Sequence, residues 1–253
     1  MTPHRTSPRG FTLVELMASM AVGMIVLLIA VSVLGSTGDG YERVGGGVGA
    51  EREARALITQ LTADLATARF NKDTVFEKSS ANWPTDRLAF LTLQPSDAQS
   101  DTGRIGDLCA VNYYIKDLQI GNKTVRCLMR GFRESEETFQ ALRDGKLDTL
   151  FTPLDRDEPV AFDVISFEAR PKSRGTSGNI DDWQKSDDQG PQILDVKLIV
   201  ARRELAGKLN TTSDWDGTGK TARLLGQPAE ALRNRNLEAY GTLIRFGNSH
   251  ETP

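Results

Sequence analysis

Apolar positions along the chain follow two different rules. From Phe11 to Leu34 they are nearly continuous (FTLVELMASMAVGMIVLLIAVSVL), and Glu15 is the one ionisable residue among them. A helix of that length covers roughly 36 Å, enough to cross a hydrocarbon core of about 30 Å with some tilt. After residue 49 the apolar positions become periodic. In AEREARALITQLTADLATARF (50 to 70), Leu57, Ile58, Leu61, Leu65 and Ala68 share one helical face, with Glu51, Arg52, Arg55, Gln60 and Asp64 assigned mostly elsewhere. Six strand-like runs follow: 87 to 93, 109 to 115, 123 to 129, 160 to 169, 192 to 202 and 238 to 246. In the fourth, Val160, Phe162 and Val164 alternate with Ala161 and Asp163; in the fifth, Leu194, Val196, Leu198 and Val200 alternate with Asp195 and Lys197. One face inward and one toward water implies antiparallel pairing.

Short helices are expected at 135 to 143 and at 228 to 236, the latter opened by Pro228, while 171 to 191 and 207 to 221 read as polar loops. The fold class is therefore α+β: an N-terminal transmembrane helix, then a helix packed on antiparallel β-sheet. Gly35, Gly38, Gly40, Gly45, Gly46, Gly47 and Gly49 crowd the join. Glycine is poor in helix interiors, so 35 to 49 is expected to break the helix between a membrane segment at 11 to 34 and a head at 50 to 253.

Charge adds an orientation. The formal net charge of the 253 residues is −3, but residues 1 to 10 hold Arg5 and Arg9 and no acid. A basic flank before an apolar helix places that flank in the cytoplasm and the rest across the membrane. A cleaved secretory signal would explain the flank, with Ala30-Val31-Ser32 as its small-residue site, but its apolar core is normally only ~7–15 residues long. A plain uncleaved anchor explains the length and leaves Glu15 without a purpose, although a carboxylate in a spanning segment costs a few kcal/mol.

The stretch Gly10-Phe11-Thr12-Leu13-Val14-Glu15-Leu16 behind a short basic leader resembles the processing site of type IV prepilins and pseudopilins. The resemblance implies a leader at 1 to 10, cleavage between Gly10 and Phe11 by a prepilin peptidase, and N-methylation of Phe11 by the same enzyme. It further implies that Glu15 pairs with the terminal amine of a neighbouring subunit as the helix enters a filament. Other pilins or pseudopilins and the inner membrane are then the expected partners, with the head in the periplasm. The helix end at Leu61, Asp64, Leu65 and Ala68, the loop with Trp183, and Pro191 leading into QILDVKLIV resemble the J-type minor pseudopilins of type II secretion and the W-type minor pilins.

Little else points to chemistry. His4 leaves with the leader and His250 lies in a polar tail, so imidazole-based triads and metal sites have no support in the head. No phosphate-binding loop, dinucleotide fingerprint or HExxH sequence is present. No enzyme activity and no cofactor are expected. Asp181-Asp182 with Asp187-Asp188, and Asp214-Trp215-Asp216-Gly217, invite a calcium reading, but the second has Leu225 where the bidentate acid of such a loop belongs, so no metal is expected. Arg233-Asn234-Arg235 is flanked by Glu230 and Glu238, and Arg202-Arg203 by Glu204, which argues against nucleic acid. Cys109 and Cys127 fall on the apolar phase of adjacent strands. They read as a disulfide in an oxidising compartment, or alternatively as two buried thiols.

The expected function is that of a minor pilin-like subunit of a type IV pilus or a type II secretion pseudopilus, in a tip or initiation complex. A membrane-tethered enzyme and an adhesin or substrate-binding module are the rival classes.

Overall fold

The first helix, α1, runs over Leu13–Ala66. This is a computed structural model that describes residues 13–69, 74–94, 107–175, 178–184, 190–218 and 221–246, with backbone alone for 34–50, 69, 222 and 232. The helix is unbroken through 35 to 49, which corrects the break expected there. Each glycine costs about 1 kcal/mol relative to alanine. None removes an N–H donor, however, and no proline lies in the run, so the i to i−4 ladder continues. The division of the chain into two compact units, Met1–Gly45 and Gly46–Pro253, falls within that run.

In the first unit, α1 carries an apolar segment, Leu13–Val33, that is long enough to cross a membrane and has no buried residue. In the second unit, the end of α1 is followed by β1 (Ala68–Arg69), β2 (Val75–Glu77), β3 (Arg87–Leu93), β4 (Leu108–Ile120) and β5 (Lys123–Arg133). Helices α2 (Ser135–Arg143) and α3 (Leu147–Leu150) come next, then β6 (Glu158–Ala161), β7 (Val164–Arg174), β8 (Ile180–Asp182) and β9 (Ile193–Ala201). Three one-turn helices, α4 (Arg203–Ala206), α5 (Thr212–Trp215) and α6 (Ala222–Leu225), and a 3₁₀ turn at Pro228–Arg233 lead into β10 (Leu237–Arg245). All strand pairs are antiparallel. They form one sheet in the order β1–β3–β4–β5–β6, with β2 also on β3, and a second in the order β10–β9–β7–β8.

The core forms because α1 presents Ala54, Leu57, Leu61 and Leu65 at helical spacing to the inward residues of both sheets. Leu88, Phe90, Val111 and Leu128 come from the first sheet, and Phe167, Leu194, Val196 and Leu198 from the second. Each such side chain contributes about 1.5–3 kcal/mol on burial. The other face of the first sheet is covered by α2 and α3 through Ala141, Leu147, Leu150 and Phe151 against Ala89, Leu91 and Ala110. The α+β class and the helix-on-sheet layout thus stand, with two sheets sharing the helix.

Two expectations about strands are corrected. The run 160 to 169 is not one alternating strand: β6 ends at Ala161 in the first sheet, and β7 begins at Val164 in the second. Asp163 between them has φ 56°, a left-handed conformation that Asp tolerates better than most residues. The twist it inserts leaves Phe162 37% exposed while Ala161 and Val164 are buried. The polar segment from 171 also holds structure, since β7 continues to Arg174 and pairs with β8.

The disulfide expectation fails on register. Strands β4 and β5 run on to a two-residue turn, Gly121-Asn122, with Gly121 at φ 63°, rather than ending at 115 before a long loop. Lys116 then faces Cys127, while Cys109 faces Thr92 on β3. The two cysteines lie seven positions apart along the hairpin, ~24 Å at strand spacing, against a Cα separation of about 4.4–6.8 Å for a disulfide. Both are buried thiols, Cys127 packed with Tyr114 and Met129. Burial, followed by the nearby charges of Asp163, Asp117 and Glu53, pushes the Cys127 thiol up to about 12. A colorimetric thiol titration is expected to find no reactive thiol in the folded chain and two after denaturation without reductant. Finding none after denaturation would restore the disulfide.

Candidate functional site

Three features have functional potential: the N-terminal segment, a buried carboxylate on α1, and the turn at Asp163. Gly10 and Phe11, the expected cleavage and methylation positions, lie outside the described residues. Glu15 is the third residue of α1, exposed, with its backbone oxygen accepting a hydrogen bond from Ser19 Oγ at 2.8 Å. Leu13, Leu16, Met17, Met20, Ile25, Leu28 and Val33 are all more than half exposed. A surface of that extent is not stable against water and calls for lipid or other apolar helices.

The buried carboxylate is Asp64, fully inaccessible on the last turns of α1. Its Oδ2 accepts from Tyr113 Oη at 2.5 Å and from Arg130 Nε at 2.9 Å. Its Oδ1 accepts from Arg130 Nη2 at 3.1 Å and Gln94 Nε2 at 2.8 Å, with Gln60 at 3.3 Å. Thr92 Oγ1 donates to the Asp64 carbonyl at 2.7 Å. Every lone pair of the carboxylate is therefore used, and the bidentate guanidinium on β5 balances its charge. Burial, and then the Asp64 charge, raise the Tyr113 phenol well above its usual range, so it stays a neutral donor. Burial lowers the affinity of Arg130 for its proton, but the hydrogen bonds and charge of Asp64 outweigh that, and the net shift is upward. Nothing here is poised for proton transfer; the cluster ties helix to sheet.

A second pair, Arg133 and Asp157, works the same way under α3: Nη1 to Oδ1 is 2.6 Å, and Tyr114 Oη and the Leu154 N–H each donate to Oδ2 at 2.9 Å. Burial raises the Asp157 pKa, but Arg133 and these donors outweigh it and hold the carboxyl below the usual range. Gly131 lies beside this pair because a Cβ there would sit 1.7 Å from Asn112 Oδ1.

Three acids of these loops, Asp182, Asp214 and Asp216, are committed to structure. Asp214 accepts from the Asn210 and Thr211 N–H groups in a capping box that starts α5, and Asp216 pairs with Arg126 Nη2 at 2.7 Å. Asp182 pairs with Lys172 at 2.6 Å; Asp187 and Asp188 lie outside the described residues. Among the described residues no group of three or more metal-ligating side chains converges.

The turn at Asp163 brings two carboxylates together across elements. Glu53 Oε2, on α1, accepts the Phe162 N–H at 3.0 Å. Burial, and then the Glu53 charge, raise the Asp163 carboxyl to about 6. Sequence offered Asp64 only as part of the helix-end resemblance, and gave neither Asp64 nor Asp163 a place in a site. For Asp64 a signal existed: it stands seven residues after Leu57, on the apolar stripe rather than on the polar face. For Asp163 none did, because its partner lies 110 positions away on another element.

With this geometry in place, the prokaryotic N-terminal methylation motif is found to match residues 5–31, covering the basic flank, Gly10, Phe11, Glu15 and most of the apolar segment. The match supports a type IV prepilin-like protein. Such a motif implies processing by a prepilin peptidase and assembly with other pilins, and implies a structural subunit. Together with the apolar helix it fits a single-pass membrane-anchored protein. Neither curated proteins nor solved structures give a match to the chain.

Two outcomes follow. Removing one member of the Asp64 pair, as in Arg130→Met, is expected to destabilise the fold by about 3–5 kcal/mol, because a buried charge is stranded. The double variant Asp64→Leu/Arg130→Met recovers most of that in a denaturant titration. For Asp163 the raised folded-state pKa means that stability falls as pH rises from about 4 to about 6 and is flat above. Over that window the loss is about 1–2 kcal/mol after allowance for solvent screening. Thermal midpoints measured from pH 4.5 to 7 are expected to show this slope, and Asp163→Asn to flatten it.

Proposed function

We propose that this chain is a minor pilin-like or pseudopilin-like subunit. The prepilin peptidase removes residues 1 to 10, methylates the new N-terminus at Phe11, and leaves α1 in the inner membrane with the head in the periplasm. The subunit then joins a type IV pilus or a type II secretion pseudopilus, in a tip or initiation complex of the J-type or W-type. The observation that carries this reading is a carboxylate, Glu15, retained in a wholly exposed apolar helix, five residues after the Gly10-Phe11 junction and inside the matched motif.

The physical logic is charge pairing in lipid. An isolated carboxylate near a helix end is tolerated there at a cost of a few kcal/mol. Cleavage creates an amine on Phe11, and a neighbour's Glu15 brought against that amine turns two costs into one matched pair. Assembly is thereby favoured, and the axial offset between neighbouring helices is set to within about one helical turn. A large head with two sheets suits a position at the end of a filament more than one within a tightly tiled shaft.

The test is mass spectrometry of the N-terminal peptide from native membranes. The expected peptide begins at Phe11 and is heavier by one methyl group; one beginning at Met1 or beyond Ser32 would sink the reading. Glu15→Ala is expected to be cleaved normally and to enter filaments roughly tenfold less or worse, the cost of losing one such pair.

A further inference from the structure

Sheet edges are hazards because their unpaired N–H and C=O groups template the addition of another strand, and chains usually guard them. Among the described residues three of the four edges here are guarded. Along β3 the edge is interrupted, held by β1 with two residues and β2 with three. Strand β6 has four residues and includes Pro159, which lacks an N–H. Strand β8 has three residues, and its Asp182 is ion-paired to Lys172. The fourth edge, β10, runs for nine residues without proline or bulge.

Its polarity can be read from the ladder ends. The Phe246 N–H donates to the Gln192 oxygen at 3.1 Å, and the Arg202 N–H to the Asn236 oxygen at 2.9 Å. Even-numbered residues of this segment therefore face β9, and the alternation turns the N–H and C=O groups of Ala239, Gly241, Leu243 and Arg245 outward. The side chains of Ala239, Leu243 and Arg245 lie on the sheet face away from the core residue Ile244, beside Ile199, Asp195 and Ile193 of β9, and Gly241 lies opposite Lys197. Leu243 is 58% exposed and Gly241 and Arg245 are exposed. Lys197 is exposed as well, and is met by Asp195 on β9 and by Glu168 opposite it on β7, while Arg245 stands in the outermost row of this face.

We propose that the β10 edge accepts an extended strand from another pilin-like subunit, one that places an apolar side chain beside Leu243 and a carboxylate beside Arg245. This deepens the subunit reading and rests on it. Main-chain hydrogen bonds supply the affinity, and the apolar-then-acidic alternation supplies the selectivity. Gly241 leaves room for the incoming strand, since its own Cβ position has Val196 O, at 3.9 Å, as its only near neighbour.

The experiment uses the full chain in native membranes, with a photo-reactive phenylalanine derivative placed at Gly241 or at Leu243. Both positions are expected to capture the same stretch of one other pilin-like subunit, with the attached residues displaced by two from one probe to the other. A probe at Glu168, two strands inward, is expected to capture no such stretch. Leu243→Pro removes one outward N–H and leaves the β9 ladder intact. It is expected to lower capture from position 241 about tenfold, the loss of roughly one strand-edge hydrogen bond, at an unchanged thermal midpoint. Capture of scattered sites, of β10 from a second copy, or of nothing would overturn the proposal, as would capture indifferent to Leu243→Pro. If the N-terminal peptide still begins at a methylated Phe11 in that case, the edge proposal fails while the subunit reading survives.

Discussion

The head depends on a charge placed inside its own core. Asp64 sits among Leu57, Leu61 and Leu65 on the stripe that α1 turns toward the sheets, where an unpaired carboxylate would cost more than a leucine contributes. It is tolerated because Arg130 and Tyr113 reach it from adjacent strands in register, Tyr113 lying directly opposite Arg130. That register is fixed by the Gly121-Asn122 turn, so the turn, the hairpin and the helix position are one decision. A slip of one residue in either strand would turn its partner residue to the wrong face and leave the charge without part of its support. The pair adds little net stability over an apolar equivalent, but it makes every other register expensive.

That same register explains what became of the cysteines. A disulfide between Cys109 and Cys127 needs a hairpin that closes near residue 118, and the strands instead continue to Ile120 and Lys123. The apolar phase of both cysteines was legible in the sequence; the strand length that separates them was not, because Lys116, Asp117 and Gln119 look like loop residues. Asp117 is in fact consumed by Arg126 at 2.7 Å, an interaction invisible to local periodicity.

Sequence reading worked where one physical signal dominated. Continuous apolarity marked the membrane segment, alternation marked β9, and the charged run at 135 to 143 marked α2 with its bounds. It failed where two signals compete. At 35 to 49 glycine propensity opposed the cooperativity of a long helix, and the helix won. At 160 to 169 a regular alternation concealed a left-handed residue that passes the chain from one sheet to the other. Asp64 was read as polar and therefore outward, although its spacing from Leu57 placed it inward; composition was given weight that belonged to position.

These particulars bear on what kind of partner the head can meet. A chain whose Asp64–Arg130 and Asp157–Arg133 pairs are buried and held in register cannot adjust its core to a new neighbour without stranding one of them. Adaptation must come from groups whose bonds are not yet committed. Among the described residues of the head, such groups lie on β10, where alternate amides face away from β9 and Leu243 is exposed. On α1 the equivalent is the exposed apolar surface of Leu13–Val33. Rigidity in the interior and unspent bonding at two separate places are what a subunit needs if it is to be held by lipid and helices at one site and by a neighbouring strand at the other.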